Sequence, residues 1–81
     1  MLETLHKFKS SLNPEQEALL RASLPQEIIQ RFFSANDENS AGSIVEEMNE
    51  YLTSKPLVAL ALYKKLSSEQ RTMISDMVFN D

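Results

Sequence analysis

The sequence has no cysteine, no tryptophan, a single glycine and one histidine. Without cysteine there is neither a disulfide framework nor a thiolate zinc site, so a domain this small must be held together by packing alone. One glycine cannot build a phosphate-cradling loop or a dinucleotide fingerprint, which need several residues without a Cβ close to the phosphates, and this excludes nucleotide-dependent chemistry. The start of the chain, Met1-Leu2-Glu3-Thr4-Leu5-His6, has no basic region leading into an apolar stretch and does not read as a signal peptide. The most apolar run, Pro56 to Tyr63, covers eight residues, whereas a membrane-spanning helix needs about 20. No membrane partner is expected, and the lack of cysteine fits a reducing cytoplasm.

What is present is apolar and helical in its spacing. Of 81 residues, 42% are apolar, far above a disordered composition, so one folded domain over residues 1–81 is expected. Leu2, Leu5, Phe8 and Leu12 form one helical stripe. Asn13-Pro14-Glu15-Gln16 supplies an N-cap, a proline at the first helical position and a glutamine that reaches back to the cap. Ser23-Leu24-Pro25-Gln26 repeats the device and opens a third helix with Ile28, Ile29, Phe32 and Phe33 inward. Residues 34–40 contain only cap and turn formers apart from Ala35, and predict the one substantial loop. Ser43 and Glu46 form a capping box ahead of Ile44, Val45, Met48, Tyr51 and Leu52. Pro56 opens a fifth helix that is apolar on every side and is therefore expected to be surrounded by the others. Ser67 and Gln70 cap a sixth, with Met73, Ile74, Met77 and Val78 inward. No run alternates as a strand would. The expected fold is all-α, a compact bundle of five to six short helices around a central apolar helix at about 56–66. The segments Leu12 to Leu20 and Leu66 to Ile74 resemble each other, which convergence on capping chemistry explains.

Charge is distributed unevenly. The net charge is −4, and residues 35–54 hold Asp37, Glu38, Glu46, Glu47 and Glu50 with no basic residue, whereas the flanking segments are close to neutral. These five acids are the candidate surface for a partner protein with a basic face. The doublets of the third helix, with the sixth, supply a candidate apolar surface for a partner or a second copy: Ile29, Phe32, Phe33 and Met77.

Catalytic and metal chemistry find little footing. Asp37 to Ile44 resembles the opening of an EF-hand calcium loop, with oxygen donors at positions one and three, glycine at six and isoleucine at eight. It departs at position five, which is Ala41, and at position twelve, which is Met48 where that family needs a bidentate glutamate. An ordinary helix connection is expected, with no metal and no cofactor. His6, within helical reach of Glu3, faces no activated nucleophile and has no companion ligands, so no catalytic residue is assigned and the chain is not expected to be an enzyme. The second and third helices have helix-turn-helix spacing, with Gln26, Gln30 and Arg31 facing outward, but a pI of about 4.9 opposes nucleic-acid binding. The sequence therefore points to a non-catalytic protein-interaction module, such as an adaptor, an antitoxin or immunity protein, or a phage-type inhibitor. A helix-turn-helix regulator is the alternative.

Overall fold

In the computed structural model, which describes residues 1–79, six helices follow one another: α1 Leu2–Ser11, α2 Pro14–Ser23, α3 Gln26–Ser34, α4 Glu38–Ser54, α5 Pro56–Lys64 and α6 Ser68–Phe79. No strand occurs among the described residues, so the chain is an all-α helical bundle. The radius of gyration is 11.5 Å, close to the roughly 11.7 Å expected of a compact chain of this length.

Capping sets most boundaries. Asn13 accepts the Gln16 N–H at 2.8 Å and donates its own N–H to Gln16 Oε1 at 3.0 Å, closing the expected capping box at the start of α2. Leu24, held extended before Pro25, separates α2 from α3. The Ser23 cap does not form: Ser23 is the last residue of α2, and Pro25 occupies the N-cap of α3 without a side-chain bond.

The segment expected to be a loop is largely helix. Asp37 Oδ1 accepts the Ser40 N–H at 2.7 Å, and the Asp37 N–H reaches Ser40 Oγ at 3.4 Å. This box starts α4 at Glu38, ahead of the expected Ser43 and Glu46 box. Two fully buried side chains, Ala41 and Ile44, anchor its first turns, and Ala35 just before it is also buried. The EF-hand-like stretch thus lies mostly inside a helix.

The centre of the bundle is formed by α1, α3 and α4, whose Leu5, Phe32 and Ile44 are the largest side chains completely withdrawn from solvent. Phe8 and Phe32 meet edge to face at 6.2 Å, and Phe32 and Phe33 at 4.9 Å. The expectation that the apolar helix at 56–66 is central is not met. Its Leu57 is 82% exposed and its Leu60 is 53% exposed, and only Leu62 is buried. The reason is length. With 17 residues, α4 reaches about 25 Å, comparable to the 28 × 26 × 23 Å body, and it touches α1, α3, α5 and α6. With nine residues, α5 reaches only about 13–14 Å and lies against α4 and α2 at the surface.

Candidate functional site

Of the five acids, three are engaged within the chain. Asp37 caps α4, and the Ser40 backbone N–H, followed by the Ser40 hydroxyl, holds its carboxyl below the usual carboxylate range. Glu38 Oε1 accepts the Leu2 N–H at 3.1 Å and lies 3.7 Å from the terminal ammonium of Met1. Glu47 pairs with the Arg31 guanidinium, which also donates to Ser43 Oγ at 3.2 Å. Glu46 and Glu50 remain exposed and make no ion pair among the described residues. They stand one turn apart on α4, on the same stripe as Asn49 and Thr53.

The apolar candidates are mostly interior. Ile29, Phe32 and Met77 are 3%, 1% and 6% exposed and belong to the core, so none of them presents an open surface of its own. Their doublet spacing reflects a helix embedded among α1 and α4 rather than an open seam. Phe33 is half-buried, and Arg21 stacks on it with its guanidinium carbon 4.3 Å from the ring centroid. The exposed large apolar side chains are instead Leu57, Leu60, Tyr63 and Phe79.

Three of them, Leu60, Tyr63 and Phe79, line a groove of about 530 Å³, within the size range of ligand pockets. Leu5 and Phe32 lie at its floor, Val45, Met48 and Leu52 of α4 form one wall, and Ile74 and Met77 of α6 form another. Leu60 and Tyr63 of α5 and Phe79 of α6 stand at the mouth. The groove-lining Asn49 and Thr53 belong to the α4 stripe that carries Glu46 and Glu50, so these acids flank the groove on its α4 side without lining it. Lys65 also lines the groove and approaches Glu15 at 4.0 Å.

The other sequence candidates are occupied or isolated. Exposed His6 lines a shallow depression on α1, while Glu3 turns to Lys7 at 3.6 Å. Among the described residues, no three His, Cys, Asp or Glu side chains converge as metal ligands. In the helix pair with helix-turn-helix spacing, α2 and α3, both arginines are paired, Arg21 with Glu17 at 3.2 Å and Arg31 with Glu47. Lys9 caps the end of α3, donating to the carbonyls of Phe32 at 3.2 Å and Ala35 at 3.0 Å, and desolvation pushes its pKa below that of an ordinary lysine. No described helix is long and apolar enough to cross a membrane.

The outward residues of α5 were assigned to the core from sequence because an all-round apolar helix usually lies inside. The signal that places them outside is the bracket of Lys55, Lys64 and Lys65 around so short a helix, since a buried hub of nine residues would draw those ammonium groups toward the interior. Comparison with protein-family models, curated proteins and solved structures finds no match, so the site is read from its own chemistry.

Proposed function

We propose that this chain is a non-catalytic protein-interaction module that binds through the outward face of α5, the apolar groove beside it and the acidic α4 rim. The observation that carries this reading is the position of α5. An exposed helix of a stable monomer normally turns polar residues to water, and contiguous apolar exposure marks a binding surface. Here Leu57 and Leu60 face solvent, and Leu60 stands at the mouth of an apolar groove. Glu46 and Glu50 give the rim a negative potential that favours a basic partner and rejects an acidic one. Adaptors, antitoxin or immunity proteins and phage-type inhibitors all work by such non-catalytic docking.

Quantitative affinity capture from host extract tests the proposal with four baits: wild type, Leu57→Glu, the pair Glu46→Lys with Glu50→Lys, and Glu27→Lys as a control at an exposed position of α3. Both the α5 variant and the α4 variant are expected to lose a protein that the wild type and the control retain. Recovery of the same proteins at the same yield by all four baits would refute the reading.

A further inference from the structure

The outer face of α5 and the neighbouring groove complement each other, and both are present on every copy of the chain. Leu57, Leu60, Ala61 and Lys64 follow the i, i+3, i+4, i+7 spacing of one helical stripe, and all four are exposed. Lys55 and Lys64 bracket that stripe, and neither ammonium has an ion pair among the described residues. The groove has apolar walls, the Lys65 in its lining is paired with Glu15, and Glu46 and Glu50, without ion pairs among the described residues, flank it on the α4 stripe of Asn49 and Thr53. One molecule therefore presents an apolar helix ended by cations and an apolar groove flanked on its α4 side by anions.

We propose that the occupant of the groove is the outer face of α5 from a second copy of the chain, in a two-fold dimer. Leu60 favours this occupant over an unrelated helix, because it belongs to both halves: it sits on the outward stripe and lines the groove mouth. With the two halves adjoining at one residue, a two-fold axis beside Leu60 sets each stripe over the partner's groove and closes the contact in a single isologous interface. At about 13–14 Å, the length of α5 lies within the 23–28 Å extents of the body, so the contact fits on one face. Lys64 and Lys55 of each copy then meet the acidic rim of the other. The inference rests on the proposed binding surface and names its partner.

Sedimentation equilibrium of the full chain in about 0.15 M salt, where the Debye length is roughly 8 Å and the net charge is largely screened, tests the dimer. At high micromolar concentration the mass is expected near twice 9.2 kDa. Leu57→Glu should return the 9.2 kDa species with an unchanged helical circular dichroism spectrum, because position 57 is already 82% exposed. The pair Glu46→Lys with Glu50→Lys, and the pair Lys55→Glu with Lys64→Glu, should each weaken association about tenfold or more. Mixing these two variants in equal amounts should restore association, a crossed rescue that unspecific apolar adhesion does not give. A wild type that stays at 9.2 kDa, a dimer indifferent to Leu57→Glu, or a mixture without rescue overturns the proposal. A monomeric wild type whose Leu57→Glu form still loses a captured protein would overturn the dimer while leaving the broader binding surface in place.

Discussion

Gln16 and Gln70 each carry one side-chain amide that serves two helices. Each Oε1 closes its own capping box by accepting an N-cap N–H, from Asn13 at 3.0 Å and from Ser67 at 2.9 Å. Each Nε2 donates across to the other amide oxygen, at 2.8 and 3.0 Å. Gln16 Nε2 also donates to the Lys65 carbonyl at 2.7 Å, and Gln70 Nε2 to the Ser11 carbonyl at 3.1 Å. Ser11 and Lys65 each stand two residues before the respective N-cap, so the bonds repeat about an approximate two-fold axis. The likeness of the two segments, explained from sequence as convergent capping, thus has a further physical basis: the segments touch and satisfy each other. Both side chains are buried, and no buried side-chain polar atom lacks a partner among the described residues. Gln16→Ala or Gln70→Ala leaves the other amide and a main-chain carbonyl short of partners, and each is expected to cost about 1–3 kcal/mol. Urea unfolding of the single and double variants should show a coupling of about 0.5–3 kcal/mol. Additivity within about 0.3–0.5 kcal/mol would show that the two amides act independently. The Arg31–Glu47 pair, with about 40% of each side chain exposed, belongs to the class of surface bridges worth about 0–1 kcal/mol.

At the scale of the helix, the sequence was most legible where chemistry is local. The Asn13–Gln16 and Ser67–Gln70 boxes, the extended Leu24 and the inward stripe of α1 depend on neighbours a few residues away, and all of them form. The start of α4 was missed because two boxes compete in one stretch, and the burial of Ala41 and Ile44, which local spacing does not register, selects the earlier one. The position of α5 was missed for a related reason. Its composition states what it could bury but not which of its faces finds a neighbour, and α4 is long enough to take the centre. The binding candidates followed the same division: Glu46 and Glu50 were legible as exposed acids, whereas Ile29, Phe32 and Met77, inward in the helical pattern and also candidates for a docking surface, could not be assigned to one or the other, because apolar spacing does not reveal which helices cover them. Two aspartates on the same helix separate the alternatives. Leu62→Asp buries an unpaired carboxylate at a 7% exposed site and is expected to unfold a domain with a margin of about 5–15 kcal/mol. Leu57→Asp places the same group in water and should leave the thermal midpoint of the monomer nearly unchanged. Equal loss of helicity in both variants would return α5 to the centre of the bundle.

For the molecule as a whole, an apolar groove in an 81-residue chain sacrifices packing that so small a body can hardly spare. Its walls make fewer contacts than a filled core would give, so the groove is kept at the expense of monomer stability. Filling it should therefore separate stability from binding. Ala59 suits the purpose, being half-buried, on α5 and part of the lining. Ala59→Leu adds apolar volume to space already open and is expected to stabilise the monomer by about 0.5–2 kcal/mol, the usual yield of a cavity-filling substitution. The comparison belongs in the Leu57→Glu background, because association of the wild type would itself raise the thermal midpoint in a concentration-dependent way. In the otherwise wild-type chain, the same leucine occupies volume that an incoming helix needs, so association should weaken while the isolated fold becomes more stable. A lower midpoint for Ala59→Leu in the monomeric background would mean that the walls already close around position 59, and the binding surface would then reduce to the outer stripe of α5 and the acidic rim.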